Sequence, residues 1–206
     1  MDWFAFRKQG LALMLAALLA AGSVTAQQTG TFTDGRDGQK YKTAKIGKQT
    51  WMAENLRFKS SCPEGDESIC LQWCYGDKES NCKKYGSLYD WNTAMAVCPK
   101  GWHLPSNKEW TVLVTAAGSS TAGKKLKSKS GWDENGNGTD EYGFSALPGG
   151  LRYTDGSFGY AGKGGYWWAV TEGGAYSRDM GYERDSVNED DDIKGFGFSV
   201  RCVADT

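Results

Sequence analysis

The sequence predicts an α+β domain with two short helices, small antiparallel sheets and long ordered Gly-rich loops, stapled by disulfides. Three observations lead to this prediction. The 206-residue chain contains 28 Gly, 9 Trp and 10 Tyr, which favours many turns and a core of large rings over a helical bundle. Six cysteines follow an N-terminal segment typical of an export signal. Two helix signals fall close together in the middle of the chain.

The first 26 residues have the pattern of a cleaved signal peptide. Arg7 and Lys8 form a basic start, residues 11–21 are an apolar run that is short for a membrane span, and residues 24–26 offer small side chains to a signal peptidase. The alternative is an uncleaved N-terminal anchor. We expect a bacterial protein that is secreted, periplasmic or attached to the cell surface, with no transmembrane segment after signal removal.

Charge and length predict one domain that does not bind nucleic acid. The formal net charge is −1, so the chain has no basic excess to neutralise a phosphate backbone. The part after the signal is long enough for one domain with a substantial core, and no repeat divides it. We expect a flexible leader at 27–38 and a folded domain at 39–206, with a cysteine-rich insert at 58–84.

The cysteines of an exported chain are expected to form disulfides. They are Cys62, Cys70, Cys74, Cys82, Cys98 and Cys202. Sequence alone does not choose among the possible connectivities, but spacing favours closing two short polar loops, Cys62 with Cys70 and Cys74 with Cys82, which leaves Cys98 for Cys202. The alternative, a zinc site from the first four cysteines, is disfavoured because their spacing does not match the usual ligand pairs.

The first predicted elements are two strands and a helix. Residues 41–56 are expected to form a β-hairpin, because apolar side chains recur along them and Gly47-Lys48 lies where a tight turn is needed. Leu88, Trp91 and Met95 then recur at helical spacing and are followed by Cys98, so a helix is expected to carry Cys98 to the core.

The second predicted helix has clear start and stop signals. Ser106 and Glu109 have the spacing of a capping box, and Gly118 is expected to end the helix. Its apolar face is formed by Trp110, Leu113, Val114 and Ala117. Later, residues 131–165 are predicted to be a long ordered loop region. Strands are expected at 166–171, 175–182 and 196–203, with an acidic turn at 188–192.

Four motifs then carry a resemblance to a known family. They are Trp-Met-Ala-Glu-Asn-Leu at 51–56, Gly-Trp-His-Leu-Pro at 101–105, Asn-Gly-Thr-Asp-Glu-Tyr-Gly-Phe at 137–144 and Gly-Phe-Ser-Val-Arg-Cys-Val at 197–203. Over residues 32–204 the chain resembles the Fibrobacter succinogenes major paralogous domain family of exported bacterial proteins. That family looks like a distant relative of the C-type lectin-like fold and of the formylglycine-generating enzyme.

The resemblance implies a single C-type lectin-like domain. In lectin-like domains a Cys after the first helix, just before a His-Leu turn, pairs with a Cys on the last strand. Cys98, His103-Leu104 and Cys202 match that arrangement, so the resemblance implies the same long disulfide that the spacing favours. It implies a fold and a compartment rather than a reaction, because the family's function is poorly defined.

Catalysis is not the expected activity. Chemistry like that of the formylglycine-generating enzyme needs reactive cysteines, and the three proposed disulfides would use all six. His103 is the only histidine, and a Gly-x-Ser-x-Gly elbow is absent from the sequence. We expect His103 to be a buried, hydrogen-bonded turn residue.

Calcium is the possible cofactor. The spacing Asp-x-Asn-x-Asn-Gly at 133–138 resembles the start of a helix–loop–helix calcium site, but Phe144 stands where the bidentate Glu should be. A lectin-style loop could still use oxygen ligands from Asp133, Asn135, Asn137, Asp140 and Glu141. The favoured alternative is that these residues form turns and local hydrogen bonds. The acidic run at 189–192 is expected to be a solvated turn rather than a second ligand cluster.

Exposed aromatic rings are the candidate ligand-binding feature, since flat rings stack on sugar faces. The candidates are Tyr153, Phe158, Tyr160, Tyr166 and Trp167. Strand alternation predicts that either Trp167 or Trp168 faces outward. We therefore expect an exported binding module, most plausibly for polysaccharide. The alternatives are a surface module that contacts another protein or has a structural role and, less favoured, a relative of the formylglycine-generating enzyme.

Overall fold

The structure, a computed structural model, describes residues 27–60, 71–171 and 174–206. The predicted signal peptide and the predicted Cys62–Cys70 disulfide lie outside the described residues. The helices are α1 (Glu79–Tyr85), α2 (Trp91–Val97), α3 (Asn107–Ala117) and α4 (Ala122–Leu126). The strands are β1 (Gln28–Thr33), β2 (Lys40–Ile46), β3 (Gln49–Met52), β4 (Gln72–Trp73), β5 (Leu88–Tyr89), β6 (Trp102–His103), β7 (Gly149–Arg152), β8 (Phe158–Ala161), β9 (Gly164–Thr171), β10 (Gly174–Gly181), β11 (Asn188–Asp191), β12 (Phe198–Ser199) and β13 (Val203–Ala204).

The strands form two sheets, as expected for an α+β domain. One is antiparallel with the order β1-β2-β3-β13-β6. The other has the order β11-β10-β9-β12-β5-β4, and β7 joins it beside β9. This second sheet is mixed rather than purely antiparallel, because β12 and β7 each pair in parallel with β9. Strand β9 is therefore its central element.

The predicted hairpin is confirmed. Strands β2 and β3 pair with Ile46 opposite Gln49, so Gly47-Lys48 is the two-residue turn. The predicted leader is wrong for Gln28–Thr33, because these residues form β1 and pair with β2, with Phe32 opposite Tyr41. Most side chains of β1 are exposed, so this edge strand lacks the apolar alternation that identifies strands in a sequence.

The two predicted helices exist, but the first begins later than expected. Helix α2 starts at Trp91, where the Asp90 side chain accepts a hydrogen bond from the backbone amide of Thr93. Leu88 is buried as predicted but belongs to β5 rather than to the helix, whereas Met95 is 50% exposed, so the predicted inward face is wrong at Met95. Cys98 nevertheless follows the helix as its C-cap.

The second helix, α3, matches its prediction. Both hydrogen bonds of the Ser106–Glu109 capping box are present, and the helix ends at Gly118. Trp110, Leu113 and Ala117 are buried, and Val114 packs against the same core from a half-buried position. The local signals were sufficient here because each of them acts within one turn of the helix.

The late strands differ from their predictions in two places. The strands predicted at 166–171 and 175–182 correspond to β9 and β10, which pair with each other, but the predicted strand at 196–203 is divided between β12 in one sheet and β13 in the other. The predicted acidic turn at 188–192 is wrong, because Asn188–Asp191 is strand β11 and pairs with β10. Three of its four side chains, Glu189, Asp190 and Asp191, are charged and exposed, as is common for an edge strand.

The core lies on both faces of β9. Trp167 packs with Trp51, Trp110 and Phe144 on one face, whereas Trp168 packs on the other. Both Trp167 and Trp168 are 0% exposed, so the prediction that one of them faces outward is wrong. The reason is that elements cover this central strand on both sides, which a single strand's alternation cannot reveal.

Two disulfides lie within the described residues, and both pairings were predicted. Cys74 is joined to Cys82 and Cys98 to Cys202, with sequence separations of 8 and 104 residues. The second bond links the end of α2 to the segment between β12 and β13, a long closure that restricts the unfolded chain strongly. Among the described residues, none of the helices has both the length and the apolar character of a membrane span.

Candidate ligand-binding site

A cleft of about 400 Å³ lies where the turn between β8 and β9 meets the turn after β10. We call it the tyrosine cleft. Three aromatic residues line it, Tyr160, Tyr166 and Tyr182, and so do three charged residues, Lys163, Glu183 and Arg184. Gly164 and Gly181, which begin β9 and end β10, complete the lining. The β9–β10 hairpin thus brings residues from two distant turns together.

The aromatic wall of the tyrosine cleft has one strongly exposed ring. Tyr160 is 50% exposed, and its ring centroid lies 5.9 Å from that of Tyr166 with an interplanar angle of 62°. Tyr166 in turn stacks on buried Phe198 at 5.6 Å. Tyr153 adjoins this wall through a side-chain hydrogen bond with Tyr160. Partial burial is the main cause that raises the pKa of Tyr153, and the neighbouring Tyr160 hydroxyl raises it further.

The charged groups of the cleft are arranged around a buried carboxylate. Asp179 lies opposite Tyr166 in the β9–β10 register, is 3% exposed and pairs with Arg184. Burial raises the pKa of Asp179, and the Arg184 guanidinium opposes that effect. Burial, with a smaller contribution from the charge of Asp179, raises the pKa of Tyr166 to about 12.

The remaining charges lie at the rim. The Glu183 carboxylate is 3.8 Å from Nη1 of Arg184, and its side chain is 60% exposed. Lys163 has no ion-pair partner within the described ranges. The cleft therefore offers phenol hydroxyls, the Lys163 amino group and the Glu183 carboxyl group to a polar ligand.

The Gly-rich loop at 133–138 supports both turns of the cleft. A Cβ on Gly136 would lie 2.5 Å from Cβ of Tyr182, so a glycine is required for the loop to approach this closely. The backbone amide of Asp133 donates to the carbonyl of Gly162 at 2.8 Å, next to Lys163. The loop that suggested calcium therefore holds the walls of the tyrosine cleft.

A buried lysine stabilises the turn after β10 through hydrogen bonds to its backbone carbonyls. Lys127 is 1% exposed, and its Nζ donates to the carbonyl oxygens of Gly181 and Arg184, each at 2.9 Å. The ammonium also lies 5.1 Å from the ring centroid of Trp132. Burial lowers the pKa of Lys127. These contacts close the turn that carries Tyr182 and Glu183.

The predicted aromatic residues are only partly brought together. Tyr160 and Tyr166 line the cleft, and Tyr153 adjoins it. Phe158 instead packs against Tyr75, with ring centroids 5.3 Å apart. The prediction that Trp167 contributes to a binding surface is wrong, because the residue is completely buried and its Nε1 donates to Asn55 at 2.8 Å.

Sequence reasoning missed six residues of the lining: Lys163, Tyr182, Glu183, Arg184 and the two glycines, Gly164 and Gly181. The available signal was weak. Gly162-Lys163-Gly164 marks a tight turn, but residues 182–184 lie at the end of a predicted strand and contain no turn signal of their own. Their position depends on contacts with distant segments, which one sequence does not reveal.

The predicted calcium ligands act as turn residues. Oδ1 of Asn137 accepts from the amide of Trp132, and the Asp140 carboxylate accepts from the amide and hydroxyl of Ser145. Glu141 pairs with Lys125, Asn135 has a φ of 65°, and Asp133 contacts the 162 turn. In the part of the chain that the structure describes, no group of three or more His, Cys, Asp or Glu side chains is placed to hold a metal ion. The candidate calcium ligands at 133–141 therefore do not converge on a common point in the described structure.

His103 is half-exposed rather than buried. Its Nδ1 lies 2.7 Å from Asp205 and its Nε2 lies 2.7 Å from Glu109, so both ring nitrogens face carboxylates. Partial burial opposes the charged imidazole, but the hydrogen bonds to Asp205 and Glu109 outweigh it and raise the pKa of His103. The imidazole therefore joins the C-terminal segment to the start of α3.

A larger cleft of about 650 Å³ lies beside the start of α3. Two of its lining side chains already bond to each other, because the side-chain amide of Asn107 donates to Glu189 at 2.8 Å, and Arg178 donates to the Asn107 side chain at 3.1 Å. Among the described residues that line it, Tyr176 is the one aromatic side chain. The tyrosine cleft is therefore the better candidate for binding a ligand.

These features define a disulfide-bonded α+β domain with a small aromatic cleft. The chain belongs to the Fibrobacter succinogenes major domain family, whose model matches residues 44–204. No curated protein and no solved structure matches the chain. The distant relation to the C-type lectin-like fold and to the formylglycine-generating enzyme therefore stays a prediction.

Proposed function

We propose that this domain is an exported binding module that recognises polysaccharide through the tyrosine cleft. The observation that carries the proposal is the half-exposed ring of Tyr160, set beside Tyr166 and next to Lys163 and Glu183. An aromatic face stacks on the C–H face of a pyranose, and charged groups hydrogen bond to its hydroxyls. Binding sites commonly combine an apolar surface with a few such polar groups.

Export is part of the proposal. The Cys74–Cys82 and Cys98–Cys202 bonds suit an oxidising compartment, as does the signal-like N-terminal sequence. A secreted, periplasmic or surface-attached location in a bacterium would place the cleft in contact with external polysaccharide.

Binding is proposed in preference to catalysis because the reactive groups considered for catalysis are occupied. Each ring nitrogen of His103 hydrogen bonds to a carboxylate, and the four described cysteines form two disulfides. A native protein with a titratable free thiol would argue against this reasoning and would favour an enzyme.

The test is retention of the oxidised protein on soluble and insoluble plant polysaccharides, with and without calcium. We expect at least one glycan to bind, and Tyr160→Ala to weaken the retention strongly. Met95→Ala is the control, because Met95 is equally exposed but lies on α2, away from the cleft. If folded protein binds no glycan, the domain is instead a protein-contact or structural module.

A further inference from the structure

Only one aromatic side chain projects strongly from the described surface. Among the exposed large hydrophobic residues of the described ranges, which are Leu71, Met95, Val112, Tyr160 and Ile193, Tyr160 is the sole aromatic. Binding to the flat face of a crystalline polysaccharide requires several coplanar exposed rings. A single ring provides one stacking position, which is enough for one sugar residue of a single chain.

The neighbouring rings form a corner rather than a plane. The planes of Tyr160 and Tyr166 meet at 62°, so both rings cannot lie flat on the same planar surface. Tyr166 is fixed in this orientation because it stacks on Phe198 and because Asp179 lies opposite it in the sheet. Rotation of Tyr166 into the plane of Tyr160 would break the stacking contact with the core.

The volume and the charge of the cleft limit the ligand further. A cleft of about 400 Å³ is at the small end of the range for small-molecule sites, and a disaccharide is a ligand of that size. The charges balance, because Asp179 pairs with Arg184 and Glu183 accompanies Lys163 at the rim. A balanced cleft favours hydroxyl groups over a carboxylated sugar, whose charge would be repelled by Glu183 as well as attracted by Lys163.

We infer that the tyrosine cleft binds a neutral glycan as a single chain, over about two sugar residues, and does not bind a crystalline face. This inference rests on the proposed function. It predicts that affinity depends on a short segment of sugar, and that chain length beyond this segment adds little.

The experiment uses the full oxidised protein and β-1,4-linked glucose, xylose, mannose and N-acetylglucosamine oligosaccharides, each from monosaccharide to hexasaccharide. Calorimetric titration measures the Kd of each. We expect the affinity to rise up to the disaccharide or trisaccharide and then to change by less than about twofold per added sugar. Crystalline cellulose and chitin should retain no protein, and galacturonan fragments should bind more weakly than the best neutral ligand.

Two variants and a control connect the result to the cleft. Tyr160→Ala should raise the Kd of the best oligosaccharide by about tenfold, which corresponds to the loss of one aromatic contact. Tyr160→Phe should keep the stacking contact and most of the affinity. Met95→Ala should leave the Kd unchanged.

The possible failures are distinguishable. If affinity keeps rising to the hexasaccharide, if crystalline polymer is retained, or if galacturonan binds best, the inference is wrong while the proposed function stands. If folded protein binds none of the neutral or acidic probes and no insoluble polymer, the proposed function and this inference both fail.

Discussion

Oδ1 of Asn55 accepts hydrogen bonds from Nη2 of Arg201 at 2.8 Å and from Nε of Arg201 at 3.1 Å, so one buried oxygen atom joins two residues separated by 146 positions. The same oxygen accepts from Nε1 of Trp167 at 2.8 Å. Asn55 belongs to the motif at 51–56 and Arg201 to the motif at 197–203. These two of the four family motifs therefore meet in the core rather than in the cleft.

Arg201 is an unusual member of this core, because its guanidinium is 0% exposed and has no ion-pair partner in the described ranges. It donates to Asn55 and to the carbonyl of Phe144, and it lies 4.2 Å from the ring centroid of Phe144. Burial lowers the pKa of Arg201 to about 9. Neutral oxygen atoms and an aromatic face thus replace the water that normally solvates this charge.

Asn55→Leu should be among the most destabilising single substitutions in this domain. It keeps the branching and the number of heavy atoms of the side chain but leaves the Arg201 charge and the Trp167 indole without the oxygen that they share, so a loss of about 3–5 kcal/mol is expected. Urea denaturation measures the loss. The double variant Asn55→Leu with Arg201→Met should recover part of it, because no buried charge is left unpaired. A loss below about 1 kcal/mol in the single variant would contradict this view of the core.

Trp167 and Trp110 offer a matched comparison. Both indoles are 0% exposed in the same cluster, but Nε1 of Trp167 donates to Asn55, whereas Nε1 of Trp110 has no hydrogen-bond partner among the residues that the structure describes. Replacement by Phe removes a similar volume at each site. Trp167→Phe should therefore be more destabilising than Trp110→Phe by about 1–3 kcal/mol, because it also removes a buried hydrogen bond. Equal midpoints in urea would show that the hydrogen bond contributes little.

Sequence reasoning succeeded where the signal is local. The capping box of α3 and the turn at Gly47-Lys48 depend on residues within a few positions of one another, and both were predicted correctly. The edge strands β1 and β11 were missed, because their exposed polar side chains show no apolar alternation. Their strand conformation comes from pairing with β2 and β10.

The candidate site was only half predictable for a related reason. Tyr160 and Tyr166 were identified as aromatic candidates near a turn, which is local information. Tyr182 and Arg184 reach the cleft only because β9 and β10 pair along their whole length, and Trp167 is hidden because elements cover both faces of β9. These facts belong to the tertiary structure, and a pattern of alternation along one strand does not contain them.

The stability contribution of His103 should depend on pH. Its pKa is raised in the folded state, so protonation stabilises the fold. The contribution is complete below the unfolded value of about 6.5 and is lost as the pH rises through the higher folded value. In thermal melts at a series of pH values, the melting temperature of the wild type should therefore exceed that of His103→Gln at low pH. This difference in melting temperature should shrink as the pH becomes alkaline. A difference that is independent of pH would rule out this role, and a two-dimensional NMR titration of the imidazole measures the pKa directly.

Gly136→Ala should disturb the tyrosine cleft through Tyr182. The new methyl group would lie 2.5 Å from Cβ of Tyr182, and the resulting overpacking should cost about 1–3 kcal/mol and weaken glycan binding. Gly35→Ala is the control, because a Cβ at Gly35 meets no atom within 4 Å. Thermal melts and calorimetric titration measure the two effects. Unchanged melting and binding in the Gly136 variant would show that the loop is not a support of the cleft.

Lys127→Met should loosen the turn at the base of the cleft. Methionine has a similar length to lysine and keeps its apolar stem, but it cannot donate the two hydrogen bonds to the carbonyls of Gly181 and Arg184. The free energy of unfolding is therefore expected to fall by about 2 kcal/mol or more. Lys129→Met provides the matched control, because Lys129 is exposed and removal of its charge should change stability by less than about 0.5 kcal/mol.

The same pair of variants separates a role in the cleft from a purely global one. If Lys127 positions Tyr182 and Glu183, then Lys127→Met should raise the Kd for the best oligosaccharide at temperatures far below its melting point, where the protein is fully folded. NMR shifts of amides at 181–184 should change more than those of α3. An unchanged Kd together with a lower melting temperature would leave Lys127 with a role in stability alone.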